Sequence, residues 1–425
     1  MKYLNKYNVN YFQGKIQGNI SYHLFQRSGQ PIHIRASFAA GSRFDTKPGI
    51  AHFLEHMILA GSKNYPDKRV LATELENLGG MVGGFTNSDL LTIKVEIAEK
   101  NDLKKAFEIL DQIINQPLFD KQAIESERGS ILAELQMRYH NRAICVGDIY
   151  DKLAYQNTPC GKEIGGTKES VKVISQADLV HFYQTVFKQN PVSWSISGDV
   201  EEADIVDVLA EIHTPLVSFE EIFSEKLPII REKTTSLEVF EGEKTDLCLG
   251  FRTESAKAVD SATLDILMTY LANSRGCKLQ DELRYKRGLV YVCGGASFLS
   301  FDSGDWHLTT ACLTEKTQEV LDIITAELRS LKEVVISPAE LNLVKNKIIK
   351  GNIRTKQTAE SWAALASNSA FLSAPEKFLI TNYEEAIEKV TSEDVMVVAK
   401  KYFTADNWYL SMCGPKTLEG IKVDI

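Results

Sequence analysis

Three absences narrow the chain before any motif is read. Its seven cysteines (145, 160, 248, 277, 293, 312 and 413) include no Cys-x-x-Cys pair, and their number is odd. That argues against a disulfide framework or a thiolate zinc site, and for reduced, mostly buried thiols. No long basic run occurs, and 48 Lys and Arg against 57 Asp and Glu leave a net charge of -9. Nucleic acid and anionic membrane demand clustered cations, so neither is expected as a partner. No stretch approaches the ~18 apolar residues that span a bilayer. The opening Met1-Lys-Tyr-Leu-Asn-Lys-Tyr lacks the apolar core of a secretory signal and the Arg- and Ser-rich pattern of a transit peptide. A cytoplasmic location is the resulting expectation.

What is present is an ordinary globular composition, 44% hydrophobic and 25% charged, over 425 residues. That length exceeds one hydrophobic core, so two or more domains are expected.

The chain also repeats itself. Ser175-Gln-Ala-Asp178 and Thr391-Ser-Glu-Asp394 each set a hydroxyl three residues before a carboxylate, a capping-box helix start. Phe187 and Phe403 close the two helices, and apolar strands end at Gly198 and Gly414. All four pairs share one offset, about half the chain. Two domains of one design follow, 1–212 and 236–425, joined by a polar linker over 213–235. Trp194 and Trp408, read as corresponding positions, are expected in the two cores.

In the first half, Ser21–Gln26 and Pro31–Ala39 read as strands around Ser28-Gly29, and Leu90–Ile97 as another strand. Residues 102–115 repeat apolar side chains at helical spacing. Strands and helices grouped in this way predict an α+β class, with helices layered on an antiparallel sheet.

The chemistry concentrates at His52-Phe-Leu-Glu55-His56. No Pro or Gly interrupts the stretch between Gly49 and Gly61, so a helix is predicted. Residues four apart share a helix face, which lets His52 and His56 address one ion, with Glu55 beside it. This is the H-x-x-E-H signature of one metallopeptidase class. Neutral imidazoles suit zinc, and a nearby carboxylate can accept the proton of a water that zinc acidifies. A third ligand must come from elsewhere. Glu127 and Glu134, seven apart on an acidic helix, and His140 are the candidates, and spacing does not choose among them.

Gly41-Ser-Arg-Phe-Asp45, Gly49-Ile-Ala-His52-Phe-Leu-Glu-His56-Met, Gly61-Ser-Lys-Asn, Glu127-Arg128 with Glu134, and the Phe187-to-Gly198 segment resemble the M16 peptidases. That is the group of pitrilysin, insulin-degrading enzyme and mitochondrial processing peptidase. The resemblance runs through essentially the whole chain and matches the half-size, two-domain members. It implies one zinc ion per chain held by His52, His56 and Glu134, with Glu55 as general base. Glu127 would orient a ligand histidine from behind. The same resemblance points to Arg284 and Tyr291, seven positions apart in the second half, as donors to the substrate carbonyl and its developing oxyanion.

It further implies two domains enclosing a chamber that admits unstructured peptides. It also implies a homodimer, or a heterodimer with a catalytically silent paralogue. A non-catalytic peptide-binding scaffold is the rival reading. In one place the sequence departs from the family: Gly83-Gly84 stands where Asn-Ala is common in the strand that pairs with substrate. Backbone pairing survives that change, whereas a side-chain contact is lost.

Overall fold

The helix starts at Ser175 and Thr391 are built alike. Each of these residues accepts the backbone N–H three positions on, and Asp178 and Asp394 each accept a hydrogen bond from the backbone of the capping residue. After each helix comes a buried strand, Val192–Gly198 in one case and Trp408–Gly414 in the other. The repeat in the sequence is therefore a repeat of structure. One pairing needs correction: at the shared offset Trp408 matches Val192, and Leu410 matches Trp194. Trp194 is buried, whereas Trp408 opens its strand and is only half-buried.

A computed structural model describes residues 1–16, 20–210, 218–224 and 227–425. The expected linker 213–235 lies partly outside these, at 213–217 and 225–226. Its described part includes a short capped helix, Phe219–Ile222.

The chain divides into two compact units, each assembled from three segments. The first comprises 1–136, 162–224 and 353–375, and the second 137–161, 225–352 and 376–425. Each half of the sequence thus lends a segment to the other unit, which a division at one linker does not anticipate.

The first unit holds a seven-stranded sheet. Its strands are β1 (Lys2–Leu4), β2 (Val9–Ile16), β3 (Ile20–Gln26), β4 (Ile32–Phe38), β5 (Met81–Thr86), β6 (Leu91–Ile97) and β7 (Val192–Gly198), in the order β1-β2-β3-β7-β4-β6-β5. Pairing is antiparallel except between β3 and β7. Although β3 and β4 are joined by the predicted turn, they do not pair with one another, because β7 lies between them. On one face pack α1 (Ile50–Ala60) and α3 (Leu103–Asn115), around Ile34, Ile93, Phe107 and Trp194. The other face alternates small Ser193, Ser195 and Ser197 along β7, which lets the helix Ala359–Ala366 approach. Trp362 of that helix packs against Tyr7 and Phe25 with ring centroids 5.2 and 5.0 Å away.

The second unit holds five strands: β8 (Lys233–Val239), β9 (Lys244–Thr253), β10 (Val290–Leu299), β11 (Gly304–Leu313) and β12 (Trp408–Gly414). Their order is β10-β11-β9-β12-β8, with β8 and β12 parallel and the rest antiparallel. The lent helix α5 (Arg142–Ala154) lies on β9 and β12. Gly250 admits it, because a Cβ there would collide with the Tyr150 hydroxyl. All seven cysteines are buried and unbridged. Among the described residues, no helix is long and apolar enough to cross a membrane.

Candidate metal centre

Helix α1 begins because its free N–H groups find a carboxylate. The Asp45 oxygens accept from Gly49 (2.6 Å) and Ala51 (3.1 Å). Gly49 itself sits at φ 87°, a left-handed conformation that favours glycine, and a Cβ there would stand 2.6 Å from the carbonyl oxygen of Gly165. Ile50, Ala51, Phe53, Leu54, Met57 and Ile58 then bury nearly the whole helix, fixing it against β5 and β6. The functional side chains are mounted on a rigid element.

His52 and His56 emerge one turn apart, with ring centroids 4.8 Å apart and planes at 79°. Opposite them runs α4 (Lys121–His140), which supplies Glu134. One Glu134 oxygen lies 3.6 Å from Nε2 of His52 and 3.8 Å from Nε2 of His56. One ligand atom from each of the three residues falls within 4.8 Å of the others. In tetrahedral zinc coordination, bonds of ~2.0–2.2 Å hold neighbouring ligand atoms ~3.3–3.6 Å apart, which the two Glu134 contacts approach. Two imidazole nitrogens and a carboxylate also leave a fourth position open. Donor set and spacing fit zinc.

Among the ligand candidates, this geometry brings Glu134 to the histidines. His140, at the end of the same helix, is outside the group. Glu127 lies behind His56, one oxygen 2.9 Å from Nδ1 and the other 2.6 Å from Nζ of Lys68. Burial of Glu127 works to raise its pKa, but the hydrogen bonds and charges of His56 and Lys68 prevail and hold it below the usual carboxylate range. It therefore stays ionised and takes a hydrogen bond from the Nδ1 proton of His56, which leaves Nε2 free to face Glu134.

Glu55 is buried against β5, where Thr86 donates to its Oε2 at 2.7 Å. A Cβ at Gly84 would stand 2.8 Å from Cγ of Glu55, so the backbone of β5 passes close by. Burial pushes the Glu55 carboxyl above its ordinary value, and Glu134 adds to this. Thr86, His56 and Lys94 pull the other way.

The sequence marks neither Lys68 nor Thr86. Lys68 opens α2 (Lys68–Asn77), far upstream of Glu127 in the chain, and no local pattern links the two. Thr86 sits two positions beyond Gly84, on the same face of β5, and no local pattern sets it apart.

Arg284 and Tyr291 belong to the second unit, whereas the metal group lies in the first. They do meet each other: the guanidinium carbon is 4.5 Å from the Tyr291 ring centroid, a cation–π contact. Tyr291 opens outward on β10, 79% exposed.

Residues 28–168 match the family model described as insulinase (peptidase family M16), and residues 174–348 match the M16 inactive domain. The beta subunit of human mitochondrial-processing peptidase is 27% identical over 400 residues, covering 88% of this chain and 78% of that one. A zinc protease of Mycobacterium leprae, described as uncharacterized, is 24% identical over 365 residues, covering 84% and 81%. The crystal structure of a protease from Helicobacter pylori superposes with a TM-score of 0.86 at 18% identity, covering 96% of this chain and all of that one. With both family models matched in sequence order and the fold shared along its length, the chain belongs to peptidase family M16, as a half-size, two-domain member of that family of zinc metallopeptidases.

Proposed function

We propose that this chain is a zinc-dependent endopeptidase of unstructured peptides. The observation that carries the reading is one constellation: His52, His56 and Glu134 converge within ligand distance, Glu55 lies beside them and Glu127 behind. When bound there, zinc supplies a Lewis acid that lowers the pKa of water toward ~7.

The chain's own residues do the rest. Among the described residues, strand β5 ends the sheet and pairs on one side only, with β6. Its other edge offers backbone N–H and C=O groups to an extended peptide. A peptide docked there passes Glu55, because Gly84 and Thr86 of β5 both touch that side chain. Glu55 accepts the proton of the attacking water and returns it to the leaving amine nitrogen. Its raised affinity for protons suits both transfers. Thr86 keeps its carboxylate aimed, Glu127 holds the His56 ring, and Arg284 with Tyr291 donate to the carbonyl oxygen.

We further propose one zinc ion per chain, a cytoplasmic location and a homodimer. Because the human relative is named as a subunit, a heterodimer with a catalytically silent paralogue, acting as a processing peptidase, is the second arrangement. Light scattering on the purified chain separates the two, since only the homodimer gives twice the chain mass in isolation.

Glu55→Gln tests the chemistry. It should bind zinc as the parent does and lose at least ~100-fold in peptide hydrolysis, the scale of general-base catalysis. Activity retained in that variant would remove Glu55 from its role. A zinc-loaded parent that cleaves no fluorogenic peptide would leave the non-catalytic scaffold as the reading.

A further inference from the structure

The face of the first sheet away from α1 carries a row of three cross-strand neighbours. Arg35 on β4 stands opposite Lys94 on β6, and Lys94 stands opposite Gly83 on β5. Like charges directly opposite one another destabilise a sheet, so this row costs stability as it stands. The helix Ala359–Ala366 offsets part of that cost by bringing Glu360 within 3.7 Å of Arg35. Glu96, the next acid along β6, is 3.6 Å from His33. Among the described residues, Lys94 has no carboxylate at ion-pair distance. Nearby, burial and the charge of Arg35 push the Lys356 amine down to about 8, a further sign of a cationic neighbourhood.

The charge of Lys94 reaches the Glu55 carboxylate only at longer range, and Gly83 leaves it room. A Cβ at Gly83 would stand 3.0 Å from Cε of Lys94, so the lysine stem already lies over the glycine. A Cβ at 83 would press on the end of the lysine stem and make it shift.

We propose that Lys94, with Arg35 behind it, reads an acidic side chain of the bound peptide. The inference rests on the peptidase reading in one respect, the docking of peptide along β5. Neighbouring strands lie ~4.8 Å apart, and Gly83 itself puts no side chain between a docked residue and the Lys94 stem that lies over it. An Asp or Glu there completes the row with the charge it lacks. The adjacent residue of β5, Gly84, touches Glu55 on the opposite face, which sets the acidic position next to the site of chemistry. The substrate class is thus an extended peptide bearing a carboxylate beside its scissile region.

The test uses the full-length chain with Glu55→Gln, so that binding is read without turnover. Fluorescently labelled peptides identical except for Glu, Gln or Lys at one scanned position are compared by anisotropy. The Glu peptide should bind roughly tenfold tighter than the Lys peptide, the scale of a partly buried charge pair. Lys94→Met should erase the order, and Lys94→Glu should invert it. Lys94→Met relieves the like-charge pair, so its thermal midpoint should equal or exceed the parent's, which separates a binding loss from misfolding. An order unchanged in Lys94→Glu, or no binding of any peptide, overturns the inference. The same peptides are offered to the zinc-loaded parent. Peptides bound with the acidic preference but never cut would sink the peptidase reading alone, and peptides cut without that preference would sink this inference alone.

Discussion

Glu127 holds a carboxylate oxygen 2.9 Å from Nδ1 of His56, the ring nitrogen that faces away from Glu134. That contact fixes which nitrogen carries the proton and aims Nε2 at the ligand group. Lys68 in turn holds the second oxygen of Glu127. Orientation of the His56 ring therefore depends on a chain of three charged or polar groups, only one of which would touch a bound ion.

The contact predicts how zinc affinity responds to its loss. Glu127→Gln keeps a hydrogen-bond acceptor but removes the charge, and should weaken zinc binding by roughly tenfold. Glu127→Ala removes both and should approach ~100-fold, the range seen when such supporting carboxylates are deleted. Competition against a chromogenic chelator measures this directly. Affinity unchanged in Glu127→Ala would mean that His56 needs no support.

A second prediction concerns acid. His23 is buried on β3, with Nδ1 2.9 Å from the Tyr11 hydroxyl and its ring edge-on to Phe371. Burial pushes its pKa down to about 4, against an ordinary value of ~6.5 in the unfolded chain. Between those values the unfolded state binds more protons than the folded one. The stability that His23 contributes is therefore complete above ~6.5 and drains away as pH falls toward 4, by about 3 kcal/mol in all. Buried Asp265, pushed up to about 6, acts in the opposite direction, so the informative quantity is a difference between variants. Thermal midpoints of parent and His23→Gln, compared at about pH 7 and pH 4.5, should show a shallower acid loss in the variant. Parallel losses would contradict the assignment.

The third prediction addresses the lent segment 353–375. Trp362 is fully buried between Tyr7 and Phe25, and its indole N–H donates to the Lys356 carbonyl at 3.1 Å. Trp362→Ala should cost ~3–5 kcal/mol, as large aromatic truncations in cores do. The loss should fall first on this segment, so limited proteolysis read by mass spectrometry should cut within 353–375 earlier than in the parent. An unaltered cleavage pattern would show that other contacts hold the segment.

Local order in the sequence is enough for whatever a helix or strand decides alone. His52, Glu55 and His56 converge because a helix returns every ~3.6 residues, and that period is written in their spacing. The two capping boxes, the apolar stripe of α3 and the alternation in β6 are legible for the same reason. Glu134 needs more: its helix is clear, but helical spacing treats Glu127 and Glu134 alike, and only packing α4 against α1 sets one beside both imidazoles and the other behind His56.

Other features have no local trace. Lys68 reaches Glu127 from a separate helix, Thr86 reaches Glu55 from a strand, and β7 enters between β3 and β4 from a distant part of the chain. The exchange of segments is of this kind too. The apolar face of α5 is plain in Cys145, Val146 and Tyr150, but an apolar stripe states only that it must be covered, not by which sheet. Sequence alone determined the helix that carries His52, Glu55 and His56 and the doubling of the fold, because both follow from short-range periodicity. Tertiary structure decided the place of Glu134, the support behind His56 and which sheet each lent helix covers, because burial and charge pairing act between surfaces that the chain brings together only on folding.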